Sequence, residues 1–391
     1  MKKVLITITG LRFELNEGAK HRLYSFIDCY KKMDYEVTVL VFSNILSYRF
    51  VFKKHKFLRN DVKWIIYPSF PVAYNKFLFF TQKLFSQIVI YILTRIKYYD
   101  ILQSELACIH CKYKNKKTKL IVDFHGDSYE EYLFRSPRNN QIAILLKNSI
   151  VNSITIADHI IVVSENLLLQ FENYYNNKIC NYSIISCGVD INRFEDTSKR
   201  VNINNINIGE RIVLGYSGGL QKWQNIEFIL DIFIKLKEYN NRFFFMLYTN
   251  SDTGFINEKL KLIGENNYLI MKLTFDEVPE YLKLFDAGFL IREDLILNKV
   301  SSPTKILEYL AAGVPVICTK FSGDYLRSIQ HLKNGFVLDN YEIKSEDIFK
   351  LAYFLFYIKQ NREKFREDSV SSVKDRTFWG EFLTLAPFLQ S

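Results

Sequence analysis

The sequence predicts an α/β protein of two domains, each built on a parallel sheet. Three observations carry that expectation. The length of 391 residues exceeds what one hydrophobic core usually fills. Apolar runs of strand length alternate with stretches of helical spacing, the mark of a sheet covered on both faces. The pattern then stops at an Asn-rich segment and starts again. Apolar residues make up 48% and charged residues 24%, the mix of a folded chain and not of a disordered one. Aromatics reach 16%, with 33 Phe and 25 Tyr, ample material for two large cores.

Each element follows in order. KVLITIT at 3–9 reads as the first strand and EVTVLVF at 36–42 as the next. Between them Leu23, Phe26, Ile27 and Tyr30 recur at helical spacing. Further strands are expected at 100–103, 119–124 and 159–164, with helix-rich stretches at 76–97 and 141–156, and YSIISCGVD at 182–190 closes the half. SKRVNINNINIGE is rich in Asn and poor in large side chains, as a linker is. RIVLGYS then restarts the alternation: helix NIEFILDIFIKLKEY, strands RFFFMLYT, YLIMKL and AGFLI, helix ILEYLAA, strands VPVICT and NGFVL. The expected division is a first domain at 1–197, a linker at 198–209, a second domain at 210–368 and a helical tail at 369–391. The sequence leaves that tail to pack on either domain, a return to the first among the options.

The net charge of +10 is uneven. Residues 1–190 hold 26 Lys plus Arg against 16 Asp plus Glu, whereas 191–391 hold 26 of each. One basic half suggests an anionic partner: a membrane surface, a phosphorylated lipid or nucleic acid. Composition does not choose among them. RFVFKKHKFLRNDVK at 49–63 and the aromatic stretch 64–99 suit an anionic bilayer or a polyprenyl-diphosphate acceptor, and equally a solvated basic face over a large core. No zinc-finger, RNP or GXXG signature supports nucleic acid. The apolar run FLFFTQKLFSQIVIYIL at 77–93 is broken by Gln82, Lys83, Ser86 and Gln87 and falls short of a span. MKKVLITITG reads as a strand and not as a signal peptide. The six cysteines follow no disulfide framework, and Cys108 and Cys111 lack a second pair for zinc. A cytoplasmic location, peripheral on the inner face of the membrane, is the expectation.

Parallel sheets bind ligands beyond the carboxyl ends of their strands, and three glycine-bearing stretches fall there. GLRFELNEGAKHRL places Gly18 at the opening of a helix. VLGYSGGLQKW places Gly218 and Gly219 after a strand, where the backbone can approach a ligand or simply turn, with Lys222 near. SSPTKILEYLAAGVPVICT places Ser302 as a helix cap and Pro303 in the first turn. The free amides of Thr304 and Lys305 can hold phosphate oxygens. Lys305 and Glu308, three apart, share one side of the helix. They fit either a diphosphate-and-ribose site, the carboxylate accepting from sugar hydroxyls, or an exposed ion pair. In DFHGDSYEE, His125 stands directly past a strand, as a site residue or as a satisfied structural histidine. No GxGxxG or GxxxxGK[ST] pattern occurs, so dinucleotide chemistry and P-loop hydrolysis lose their sequence support.

With DFHGD, ADHIIVVSE, ISCGVDINRF, LGYSGGLQKW and SSPTKILEYLAAGVPVI in this order, the chain resembles the retaining nucleotide-sugar glycosyltransferases of family 4. The resemblance implies the GT-B fold, two Rossmann-like domains facing each other across a cleft. It implies a nucleoside-diphosphate donor, a UDP-sugar by preference, and transfer of a hexosyl-type sugar to a hydroxyl of a glycan or lipid-linked acceptor in surface polysaccharide assembly. By the same resemblance Glu308 holds the ribose, Ser302 to Lys305 face the diphosphate, Gly18, Gly218 and Gly219 approach the phosphates, and His125 lines the donor sugar. No cofactor and no metal are expected.

The chain departs from the family pattern at Val300, where the first of two glutamates usually stands. It also has Gly219 and Gln224 where an arginine and a lysine are usual. Lys222 and Lys305 are the expected replacements for that positive pair, and Asn298 or Ser301 the expected neighbours of the donor sugar. A catalytically idle scaffold of this fold and a nucleotide-sugar epimerase are the alternatives.

Overall fold

The structure, a computed structural model, describes residues 1–9, 18–44, 58–69, 75–105, 115–136, 140–195, 208–339, 341 and 343–390. The chain divides into two units, Met1–Cys187 with Phe378–Ser391, and Gly188–Thr377.

Among the described residues the first unit has seven strands: β1 (Lys3–Thr9), β2 (Glu36–Asn44), β3 (Lys63–Ser69), β4 (Ile101–Glu105), β5 (Lys119–Phe124), β6 (His159–Val162) and β7 (Tyr182–Ile184). They form one parallel sheet in the order β3-β2-β1-β4-β5-β6-β7. Val4, Ile6 and Ile8 of β1 and Val37, Val39 and Val41 of β2 alternate onto one face, as the two-residue period of a strand requires. The helix Gly18–Lys32 covers that face with Leu23, Phe26, Ile27 and Tyr30, the helical set legible in the sequence. Phe378, Phe382, Leu385 and Leu389 of the tail complete the same core. Lys2 Nζ ties the tail down by donating to the Leu389 carbonyl at 2.9 Å.

β3 was not foreseen. It carries Pro68, which a central strand rejects, but β3 lies at the sheet edge, where proline is tolerated.

The second unit has β8 (Ile212–Ser217), β9 (Phe243–Tyr248), β10 (Tyr268–Met271), β11 (Ala287–Leu290), β12 (Val316–Thr319) and β13 (Gly335–Leu338). They too form a parallel sheet, in the order β10-β9-β8-β11-β12-β13. The helices Ile226–Tyr239 and Ser345–Gln360 cover one face, and the helix Thr304–Ala311 lies in the core of the other. Val189 and Phe194 join that second core. Gly188 to Glu195, read from sequence with the first half, therefore packs on the second unit.

In each sheet the strand order reverses beside its first strand, between β1 and β4 and between β8 and β11. Such a reversal parts the flanking loops and leaves a crevice at the carboxyl ends. In the second unit it sets the loops after β8 and β11 side by side.

Candidate functional site

The chain leaves β8 at Ser217 and passes through Gly218 at φ +138°, a conformation that L side chains rarely adopt. A Cβ at this position would stand 2.3 Å from Lys305 Cε and 2.8 Å from its Nζ. Gly218 thus makes the room that the lysine occupies. At Gly219 the nearest atoms to a Cβ belong to the side chain of Gln221, 2.6 Å at Oε1, which can swing aside. The Gly219 carbonyl accepts from the Tyr216 hydroxyl at 2.7 Å. A single tight turn, Lys222–Gln224, follows; Lys222 is exposed on it and Gln224 is buried.

Opposite that turn begins the helix Thr304–Ala311. Ile306, Leu307, Leu310 and Ala311 are buried, and the Tyr309 hydroxyl accepts from the Ser217 amide at 2.9 Å. This bond pins the helix opening to the end of β8. Pro303 is the capping residue, with φ −76° and ψ 108° and no side-chain cap. Ser302, expected in that role, stands one residue too early, because the extended ψ of Pro303 delays helical geometry until Thr304. A proline side chain cannot accept a hydrogen bond, so no cap closes the first turn. The amides of Thr304 and Lys305 find no acceptor among the described residues, as the first turn of a helix leaves them.

Lys305 and Glu308 form no ion pair. The Lys305 ammonium turns to Gln224 Oε1 at 3.3 Å and sits 5.6 Å from the centre of the Tyr216 ring. Burial, followed by the charge of Arg292, lowers its pKa to about 8 against the opposing pull of Glu308. The Glu308 carboxylate makes no hydrogen bond or ion pair among the described residues. Burial raises its pKa, and the cations Lys305 and Arg193 oppose that rise.

Two of these cations were missed from sequence. Arg292, just past β11, is buried, and its Nε has no partner among the described residues. Its Nη1 donates to the Trp223 carbonyl at 2.8 Å, so it braces the same turn whose Gln224 holds Lys305. Its neighbours Glu293 and Asp294 gave that stretch the look of an ordinary charged loop. Arg193 donates to the Phe275 carbonyl at 2.7 Å and stacks 3.4 Å above the Phe275 ring. Asn298 and Ser301, the expected sugar neighbours, are engaged within their own loop. Asn298 donates to the Glu293 carbonyl at 3.1 Å, and Ser301 donates to the Asn298 carbonyl at 2.7 Å. Val300 is buried.

The first unit holds its own polar set at the carboxyl edge of β4 and β5. Arg22 and Asp123 form a buried two-point ion pair, Nε to Oδ2 at 2.8 Å and Nη2 to Oδ1 at 2.6 Å. Glu105, in register with Asp123, is fully buried, and neither carboxyl oxygen has a partner among the described residues. Burial and the Asp123 charge raise its pKa well above the usual range. His125 follows β5 half-buried, its Nδ1 without a partner among the described residues; burial lowers its pKa, which favours the neutral ring. Asp127 caps the helix Ser128–Arg135 by accepting from the amides of Tyr129 and Glu130, and also accepts from the Tyr174 hydroxyl at 2.7 Å. Gly18 opens the first helix, with nothing within 4 Å of a Cβ built there, so nothing described makes glycine obligatory at that point.

Gly218, Gly219, Lys222, Ser302, Thr304, Lys305 and Glu308 thus gather on the second unit, while Gly18 and His125 lie on the first. Cys108 and Cys111 fall outside the described residues.

Residues 198–368 match the family described as glycosyl transferases group 1. The match covers less than half of the chain. It contains the glycine turn, Arg292 and the helix Thr304–Ala311. The chain is also similar to the Bacillus subtilis protein TuaH, named as a teichuronic acid biosynthesis glycosyltransferase, at 31% identity over 110 residues. The match takes in 28% of this chain and 27% of TuaH, about a quarter of that relative's length. Among solved structures, a glycosyltransferase from Rickettsia africae superposes with a TM-score of 0.69 at 16% identity, over 100% of this chain and 97% of that one. HepE from Anabaena, solved with UDP and glucose, gives 0.70 at 14% identity over 100% of both. The chain thus shares the two-domain GT-B fold of these structures.

Proposed function

We propose that the protein is a retaining glycosyltransferase that moves a sugar from a UDP-sugar to a hydroxyl of a glycan or lipid-linked acceptor in surface polysaccharide assembly. One observation carries the reading. A helix opening with two unpartnered amides lies beside Lys305 and Arg292, and an unengaged carboxylate, Glu308, stands one turn inward. Amides and cations suit the oxygens of a diphosphate; an acceptor-only carboxylate suits the paired hydroxyls of a ribose. Uridine is preferred because HepE is solved with UDP and with UDP-glucose. The role in surface polysaccharide rests on the name of TuaH.

In the reaction the acceptor oxygen forms a bond to the anomeric carbon while the bond from that carbon to the diphosphate oxygen breaks. The hydroxyl proton passes to a diphosphate oxygen on the same face. The protein's task is to hold the charge that grows on the leaving diphosphate, and fixed amides and cations do this without reorganisation. His125, neutral, offers a ring nitrogen to the donor sugar. No carboxylate pair of the glycosidase kind is required, because the leaving group is already a good one.

The buried Val300 favours a second reading, a scaffold of this fold without turnover. UDP release from UDP-glucose, with and without a polyprenyl-diphosphate-linked glycan, separates the two. A transferase releases UDP faster with acceptor. A scaffold releases none, and that result would overturn the proposal.

A further inference from the structure

The helix Lys76–Ile96 of the first unit is inside out. Its buried face carries Gln82, Ser86 and Thr94 among Phe79, Val89 and Ile90. Hydrogen bonds within the helix engage these polar groups. Gln82 Nε2 donates to Ser86 Oγ at 2.8 Å, Ser86 Oγ donates to the Gln82 carbonyl at 2.8 Å, and Thr94 Oγ1 donates to the Ile90 carbonyl at 2.9 Å. The outward face instead presents Phe77 (74% exposed), Phe80, Leu84 (59%), Ile88, Ile92 and Ile96 (78%). They recur every three or four residues, so they form one stripe, roughly 30 Å long at 1.5 Å per residue. A surface helix in water has the opposite polarity, and an apolar patch of this extent marks a binding surface.

Charge decides what covers it. Lys76, Lys83 and Arg95 are the charged residues of this helix, which has no Asp or Glu. Lys116 and Lys117 are exposed in a turn beside its carboxyl end, where the Tyr98 hydroxyl donates to the Lys117 carbonyl at 3.5 Å. A second copy docked antiparallel on the stripe would bring Lys76 against Arg95 with no carboxylate between them, which is repulsive. The helix has the 21 residues and the hydropathy to cross a bilayer, more than the broken run in the sequence suggested. It is nevertheless held on the sheet, because Phe85 packs on Phe42 and Tyr67 at ring distances of 6.2 and 6.3 Å.

We propose that this helix docks the first unit on a membrane surface bearing anionic headgroups. The helix lies in the plane of the interface, with its apolar stripe in the acyl boundary and its cations among the headgroups. The surface is separate from the donor site of the second unit.

Co-sedimentation of the full chain with vesicles tests this without reading activity, so its failure and the failure of the transferase reading are distinguishable. With phosphatidylcholine vesicles containing a quarter phosphatidylglycerol the protein should pellet; with phosphatidylcholine alone it should pellet far less. Leu84→Ser with Ile88→Ser, both exposed, should weaken partitioning at least about tenfold with an unchanged melting temperature. Lys76→Glu with Arg95→Glu should remove the preference for the anionic vesicles. Failure of the parent to pellet, equal pelleting of the Leu84/Ile88 variant, or a concentration-dependent dimer abolished by that variant would overturn the proposal.

Discussion

Lys305 and Glu308 stand three residues apart on one helix and yet do not pair; the ammonium turns instead to Gln224 Oε1, 3.3 Å away. An exposed ion pair, the plain expectation for such spacing, is thereby set aside. Both side chains are half-buried, and neither is neutralised by the other at contact distance. A protein that burdens a helix opening in this way loses stability unless a ligand completes the arrangement.

The first consequence concerns pH. Burial lowers the Lys305 pKa to about 8 in the folded protein, from 10.5. Between those values the unfolded chain binds the proton and the native chain does not, so this group makes stability rise with pH across that window. At the proposed diphosphate site a charged lysine is the better partner, so UDP affinity should fall as pH climbs above about 8. Lys305→Met should raise the melting temperature at pH 7, weaken UDP binding, and flatten its pH profile from 7 to 9.5. Thermal denaturation checks the first, and titration calorimetry at several pH values checks the other two.

Gly218 and Gly219 should behave differently. An alanine at Gly218 meets the Lys305 side chain at 2.3 Å and carries an unfavourable φ, which costs about 1–3 kcal/mol. At Gly219 the obstruction is the mobile end of Gln221. Gly218→Ala should therefore lower both melting temperature and UDP affinity, and Gly219→Ala should change each much less. Thermal denaturation with and without UDP resolves the two.

How much of this was readable beforehand depended on the kind of signal. β1 and β5, and the apolar residues of the first helix, announce themselves by period, because side-chain burial imposes that period directly. Gly218 was legible as a glycine just past a strand, and the helix Thr304–Ala311 by its apolar spacing. Arg292 was not: flanked by Glu293 and Asp294, it reads as a solvated loop, and only the adjacency of β8 and β11 brings it beside Lys305. The Ser302 cap failed on one dihedral, the ψ of Pro303, which composition does not fix. The helix Lys76–Ile96 was legible as a helix, but its outward apolar face was not, since a period identifies a stripe and not which side of it is covered.

Arg22 and Asp123 predict the largest stability effect. Both are buried, and Arg22 Nη1 also donates to the Ile185 carbonyl at 2.9 Å. Removing either partner strands the other charge, at a cost of about 3–5 kcal/mol. Asp123→Ala should shift the urea midpoint accordingly, whereas Lys178→Ala, at the exposed pair with Glu172, should shift it little.

For His125→Ala, turnover should fall more than donor affinity, about tenfold or more in kcat, with UDP binding nearly unchanged. Steady-state kinetics beside calorimetry checks the split. A loss confined to UDP affinity would place His125 on the nucleotide and not on the sugar.

The most direct test is calorimetric titration of UDP into the parent protein and into Glu308→Ala at pH 7. The parent should bind, and the variant should bind at least about tenfold more weakly, the loss of a charged hydrogen bond to the ribose, while its melting temperature without ligand stays the same or rises. Equal affinity in the two proteins, or no binding by the parent, would contradict the nucleotide site described at this helix opening.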